Sequence, residues 1–272
     1  NGRNSSNIKV LDWISELNKI GVGEICITFV DGDGTGKGFD IGFIHISSFG
    51  LMMFLAFLSC NLIIRKTLKE KSINPVIGDD IIFWAAIGGI VGAKFYSVIE
   101  YGSDSFIDGF SYLFKGEFSL AIENLGSGLV FYGGLMGGLV AVSLYLYKKG
   151  LSWIEYSDIV APLLALGHGI GRIGCLLVGD DYGIPTDSAF GMHFPNPIPS
   201  FEYAFPGQNV HYVYPTQLYE MAAYFLIFLY LYRYRHKVNF NGELFFEYLF
   251  LTGLSRFLIE FIRFHDSNAF EF

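Results

Sequence analysis

Apolar residues run through this chain in blocks too long for the one-sided stripe of a surface helix. Crossing a bilayer core takes about 20 mostly apolar residues in a helix. Six segments approach that pattern: Ser48–Ile64, Ile81–Ile99, Gly126–Tyr147, Tyr156–Val178, Thr216–Tyr232 and Leu244–Ile262. The fourth and sixth carry polar residues near their ends. The pattern predicts an all-α polytopic membrane protein of about six transmembrane helices, with small extracytoplasmic loops forming a cap.

The polar stretches between the blocks alternate in charge. Arg65, Lys66, Lys69 and Lys71 follow the first block, Lys148 and Lys149 the third, and Arg233, Arg235 and Lys237 the fifth. The stretch 100–125 has Lys115 against Glu100, Asp104, Asp108, Glu117 and Glu123, and 180–214 has no Lys or Arg. Lys and Arg gather on the cytoplasmic side of membrane proteins. The basic loops are therefore expected inside, and the acidic loops, Arg172 and the end of the sixth block outside. Pro185, Pro195, Pro197, Pro199 and Pro206 make 180–214 an expected irregular cap.

Residues 1–47 read as a polar extracytoplasmic extension ahead of a membrane-embedded domain, 48–272. Residues 1–20 lack the charged-then-apolar shape of a signal peptide. The run Val30-Asp31-Gly32-Asp33-Gly34-Thr35-Gly36-Lys37-Gly38 fits neither a phosphate loop, which needs Ser or Thr after the Lys, nor an EF-hand, which needs Glu where Gly42 stands. A glycine-rich turn between short strands is the expectation there.

Composition agrees with the apolar blocks. Hydrophobic residues make up 52% and charged residues 16% of the chain, against about 25% charged in soluble domains; mean hydropathy is +0.42. A net charge of −8 argues against nucleic acid as a partner. Cys26, Cys60 and Cys175 form no metal-binding spacing and no disulfide framework.

Four cations lie in or at the ends of the apolar blocks: Lys94, Arg172, Arg256 and Arg263. A charged side chain there is unfavourable by about 2.5–3.5 kcal/mol on insertion scales and usually has a function. Lys94 and Arg263 are placed where snorkelling to the interface could satisfy them. Arg172 and Arg256 fall toward the same side on the expected topology, and two guanidinium groups suit a phosphate. Their possible acid partners are Asp180, Asp181, Glu220 and Glu260, with Arg256 and Glu260 spaced i, i+4. His168, four residues before Arg172, is either a packing residue or a proton acceptor. Tyr132 is either an interfacial tyrosine or a hydrogen-bond donor to a head group. Asp180 and Asp181 lack a third ligand at useful spacing, so no metal is expected. The glycine pairs Gly88/Gly92, Gly133/Gly137, Gly134/Gly138 and Gly167/Gly171 fit tight helix packing.

Several of these motifs, in order, resemble the bacterial phosphatidylglycerol–prolipoprotein diacylglyceryl transferase family. Gly171-Arg172-Ile173-Gly174-Cys175, followed by Gly179-Asp180 and Gly183, is similar to the family signature. Gly126 to Gly134 resembles its glycine-rich segment, and Ala93-Lys94-Phe95-Tyr96 a segment where the family usually has arginine. Tyr214-Pro215-Thr216-Gln217-Leu218-Tyr219-Glu220 and the Arg256, Glu260, Arg263 helix resemble two further motifs. The resemblance covers about 49–266. The family usually has Asn at Cys175, Glu at Asp180, His at Tyr132 and a tyrosine at Phe49. It has seven spans against the six read here, so the expectation is a divergent branch with the last helix missing or the sequence truncated.

The resemblance implies a multi-pass protein of the bacterial cytoplasmic (inner) membrane. Its donor would be phosphatidylglycerol and its acceptor the lipobox cysteine in a prolipoprotein signal peptide. The diacylglyceryl group would move to the thiol, glycerol phosphate would leave, and no cofactor is needed. Arg172, Arg256, Asp180, Glu260, His168 and Tyr132 would form the catalytic set. Lys94, Gly133, Gly134, Gly171, Gly174, Cys175, Gly183, Gln217, Tyr219, Glu220 and Arg263 would line the substrate site among membrane lipids. His168, Asp180 and Glu260 all remain open as the base. The alternatives are a lipid or small-anion transporter, against which the lack of a repeat counts, and an inactive lipid-binding homologue.

Overall fold

A computed structural model describes residues 39–40, 45–46, 48–102, 104–117 and 130–265. The elements are a two-residue strand pair, β1 (Phe39–Asp40) and β2 (His45–Ile46), then α1 (Ser48–Glu70), α2 (Val76–Tyr101), α3 (Asp104–Phe114), α4 (Phe131–Lys149), α5 (Trp153–Val178), α6 (Phe201–Ala204), α7 (Thr216–Tyr234) and α8 (Glu243–Glu260). The glycine-rich run 30–38 lies outside the described residues, as does the start of the third apolar block. β1 and β2 pair antiparallel, Phe39 opposite Ile46 and Asp40 opposite His45, and the other named elements of the described residues are helices.

Among the described residues, six long helices overlap the six apolar blocks. Three are long and apolar enough to cross a membrane by length and composition: Ser48–Glu70, Val76–Glu100 and Trp153–Val178. The other three are shorter, at 19 residues for α4 and α7 and 18 for α8. α3 was not anticipated: it stands in the acidic stretch after α2, where Phe106, Ile107, Phe110 and Leu113 interrupt the acids.

Local chemistry sets the helix ends. Ser152 accepts from the Glu155 amide, and the Ser-x-x-Glu spacing is that of a capping box at the start of α5. Gly179, at φ 79°, closes α5 in the left-handed region that glycine enters without strain. Asp158 caps a neighbour, accepting from the Gly242 and Phe245 amides at 2.6 and 3.0 Å and so satisfying the first turn of α8.

α5 is the axis of the bundle, packed against α1, α7 and α8, while α2 and α4 form a tight pair beside α1. Half of the most apolar window of α5 is buried, against 17% for α1 and α2. One buried cluster joins Cys60, Ile64 and Leu68 of α1 to Tyr156, Ile159 and Leu163 of α5; a second joins Ala161 and Ala165 to Tyr224, Ile227, Leu231 and Leu244. Large apolar side chains such as Phe83, Ile90, Phe95, Phe250 and Phe257 stay exposed. A band of that kind suits lipid rather than water.

The two ends of the bundle differ. At one end Arg235 pairs with Glu70 at 2.8 Å, tying the end of α7 to the end of α1 beside the basic stretches. At the other, the segment after α5 folds into a cap with its own small core of Tyr182, Phe194, Phe205 and Val213. Its backbone is stitched by isolated bridges, including Gly183 to Arg263 and Met192 to Val213. A side chain on Gly183 would overlap the Ile262 carbonyl, so glycine lets the cap lie against the end of α8.

Candidate active site

The arginines meet at the capped end. Arg172 comes from the last turns of α5, and its side chain is 12% exposed. Glu220, near the start of α7, has a side chain only 3% exposed and sits between two cations. One oxygen is ion-paired with Arg172 Nε; the other accepts from Arg256 Nη1 at 3.0 Å. Arg256 also pairs with Glu260 at 2.9 Å, one helical turn on, and Glu260 pairs with His265 at 3.3 Å. Three helices thus deliver one connected network.

A second carboxylate closes the network from the cap. Asp181 Oδ2 accepts from Arg172 Nη1 at 2.6 Å, and Asp181 Oδ1 accepts from Arg263 Nη2. Burial pushes the Asp181 carboxyl up, but Arg263 and Arg172 outweigh it and hold it below the usual carboxylate range. Asp180 behaves oppositely. Burial, then the charge of Asp181, raises its pKa, and its Oδ1 is buried with no hydrogen-bond partner. The two adjacent acids are thus shifted in opposite directions, Asp181 down by its cations and Asp180 up by burial.

The start of α7 holds this turn by its backbone. Thr216 Oγ1 donates to the Asp181 carbonyl at 2.5 Å, and Gln217 Nε2 donates to the Asp180 carbonyl. Gln217 Oε1 is buried without a hydrogen-bond partner. The Tyr182 hydroxyl donates to the Pro199 carbonyl, and burial pushes it up to about 12. Cys175 receives a long contact of 3.6 Å from Arg172 Nη1. Cys175, Asp180 and Asp181 bring possible metal-ligand atoms within 4.8 Å of one another. The two guanidinium groups already on Asp181 oppose a further cation at that point.

Not every residue proposed from sequence joins the network. Arg172, Arg256, Arg263, Glu220 and Glu260 do so through their side chains, Gln217 through the Asp180 backbone. His168 stacks on Tyr224 with ring centres 3.9 Å apart, a packing contact one turn before Arg172. Tyr132 is exposed at the start of α4, edge-on to Phe131. Tyr219 donates to the Phe190 carbonyl at 3.1 Å and so braces the cap. Lys94 is buried in α2. Gly133 meets Gly92 and Tyr96 across the α2–α4 contact, and Gly134 meets Gly89 and Ala93. Gly174 faces Phe49 and Met52 of α1, whereas a side chain on Gly171 would meet nothing within 4 Å. Thr216 was an omission, and Asp181, named as a possible acid partner, was left out of the expected catalytic and substrate sets. The signal for Asp181 was its place one residue past Asp180, in a turn just after an arginine-bearing helix end.

Fold and site together define a helical membrane protein with an arginine–carboxylate network at one end of its bundle. A family model described as prolipoprotein diacylglyceryl transferase matches residues 37–272. The chain is 33% identical over 229 residues to the phosphatidylglycerol–prolipoprotein diacylglyceryl transferase of Clostridium tetani, covering 83% of this chain and 84% of that one. It is 33% identical over 233 residues to the enzyme of the same name from Leptospira interrogans (80% and 71%), and 29% over 231 residues to that of Thermosynechococcus vestitus (84% and 81%). The chain belongs to the prolipoprotein diacylglyceryl transferase family. A second family model, described as a histidine biosynthesis protein, matches residues 1–50, a stretch almost wholly outside the described residues.

Proposed function

We propose that this protein transfers the diacylglyceryl group of phosphatidylglycerol to the lipobox cysteine thiol of prolipoproteins, releasing glycerol phosphate. The observation that carries the reading beyond family membership is the convergence of Arg172 and Arg256 on buried Glu220. Guanidinium groups fixed from two helices are preorganised donors for the phosphate of the lipid.

The reaction needs a nucleophile, a proton acceptor and a stabilised leaving group. The acceptor thiol gives up its proton, and the sulfur attacks the glyceryl carbon. A C–S bond forms as the C–O bond to phosphate breaks, and glycerol phosphate departs carrying the electron pair. Arg172 and Arg256 hold the developing charge, with Arg263 beside them. Asp180 is the best placed of the three candidate bases. Glu260 is tied to Arg256 and His168 is stacked on Tyr224, whereas Asp180 presents a buried oxygen with no hydrogen-bond partner. Tyr132, exposed at the start of α4, is the proposed contact for the lipid head group at the edge of the site.

Residues 48–272 form the transferase domain, and residues 1–47 stand apart as a polar extension outside the membrane. All six long helices span the bacterial inner membrane, the basic ends lie in the cytoplasm, and the capped site opens outside. The direct test supplies purified full-length protein with phosphatidylglycerol and a lipobox peptide. Mass spectrometry is expected to show a peptide gaining one diacylglyceryl group, with glycerol phosphate released. The Cys→Ser peptide is expected to stay unmodified, because a hydroxyl is a far weaker nucleophile than a partly ionised thiol. Lipid binding without modification of the cysteine peptide would remove the enzyme reading.

A further inference from the structure

Asp181 stands in an arrangement that helix geometry alone would not produce. It follows the end of α5 with φ at 60°, one of two non-glycine residues among those described with positive φ. Side chains enter that region at a cost, which Asp and Asn bear best. Strain of this kind persists where surrounding contacts over-determine it, and it gathers at functional sites. Here the contacts are specific: Thr216 holds the Asp181 carbonyl at 2.5 Å, and the carboxylate spans Arg172 and Arg263. The two carboxylates that meet Arg172 differ in burial. The Glu220 side chain is 3% exposed and the Asp181 side chain 35%. Glu220 is enclosed between its helices, whereas the Asp181 side chain is partly open to solvent.

An oxyanion shared between two guanidinium groups is also how a phosphate is held. We infer that Asp181 is a displaceable carboxylate that holds Arg172 and Arg263 in place and competes with the substrate's phosphodiester for them. This rests on the reading above that the arginines receive the lipid phosphate. Glu220 then serves as the permanent counter-charge and Asp181 as the exchangeable one. Asp181 is a positioning residue: it sets how tightly the anion binds, and the chemistry runs through other groups. A two-state competition lowers apparent affinity by the fraction of protein in the open state. Removing the carboxylate therefore tightens anion binding, the opposite of what loss of a merely structural pin would do.

The test compares full-length wild type, Asp181→Asn and Asp181→Gly. Asn tolerates the left-handed backbone, and Gly relieves its strain while removing the carboxylate, so one variant guards against misfolding of the other. Two quantities are measured: the dissociation constant for glycerol phosphate, and KM and kcat for phosphatidylglycerol in peptide lipidation. Both variants are expected to bind glycerol phosphate about fivefold or more tightly and to show a lower KM, with kcat no higher than wild type. Asp181→Glu keeps the competing charge and is expected not to tighten. Unchanged or weaker glycerol phosphate binding in both folded variants overturns the inference, as does wild-type tightness that already matches theirs. Wild type that fails to lipidate the peptide at all would instead sink the functional reading, and the binding measurement stands apart from it.

Discussion

Glu220 is the residue on which the site turns. A carboxylate almost fully removed from solvent is tolerable only with cations in place, and Arg172 and Arg256 supply them from two other helices. The same logic fixes the consequence of removing an arginine. Arg172→Ala and Arg256→Ala are each expected to lower turnover by on the order of 10²–10³, the usual effect of losing one preorganised charge partner. Arg→Lys is expected to rescue poorly, because lysine lacks the two-pronged fork. Initial-rate lipidation assays on folded, membrane-inserted variants check both, and near wild-type turnover in the alanine pair would detach the arginines from the chemistry.

The helix pair α2–α4 shows what the recurring glycines do. Added side-chain carbons at Gly92 and Gly137 would run into each other's backbones, and the one at Gly92 also into the Gly133 carbonyl. The backbones touch because nothing intervenes, which is how helices associate where lipid offers no hydrophobic drive. Gly92→Val and Gly137→Val are therefore expected to destabilise the protein by about 1–3 kcal/mol, the usual penalty for overpacking. Gly171→Ala, in the same kind of glycine pattern but facing open space, is expected to leave stability intact. Thermal unfolding in detergent separates the two classes. A small shift at Gly92 together with a large one at Gly171 would reverse the assignment of which contact is structural.

Over the bundle as a unit, charge sorts to the two ends. Arg65, Lys66, Lys69 and Lys71 lie toward the end where Arg235 meets Glu70, and Arg172, Arg256 and Arg263 lie at the other with the cap. On the proposed orientation, with the basic ends facing the cytoplasm, a cysteine introduced at the exposed position 190 is expected to react with an impermeant reagent in intact cells. One at position 149 is expected to react only after permeabilisation. The opposite labelling pattern would invert the orientation and move the site to the cytoplasmic face.

How far the fold was legible follows from what kind of information each feature needs. The length and polarity of an apolar run are properties of consecutive residues, so all six long helices could be placed from the blocks. The loop charges that order them are equally local. Arg172 stood out for the same reason, as a cation at the end of an uncharged stretch. α3 escaped because its short apolar face is interleaved with acids and falls below the length of a span. The pairings in the site escaped for a different reason: Glu220 and Asp181 could be named as partners for the arginines, but not which arginine each would meet. Glu220 lies 36 residues from Arg256, and Asp181 lies 82 from Arg263, and no periodicity relates them. Only the packing of α5 against α7 and α8, with the cap folded back on Ile262, brings them within reach. That packing also chose between neighbours: the expected catalytic set held Asp180, yet the left-handed turn after Gly179 presents Asp181 to the arginines and leaves Asp180 Oδ1 buried without a hydrogen-bond partner. Burial and charge pairing are sums over residues distant in the chain, so the opposite shifts of Asp180 and Asp181 were settled in three dimensions.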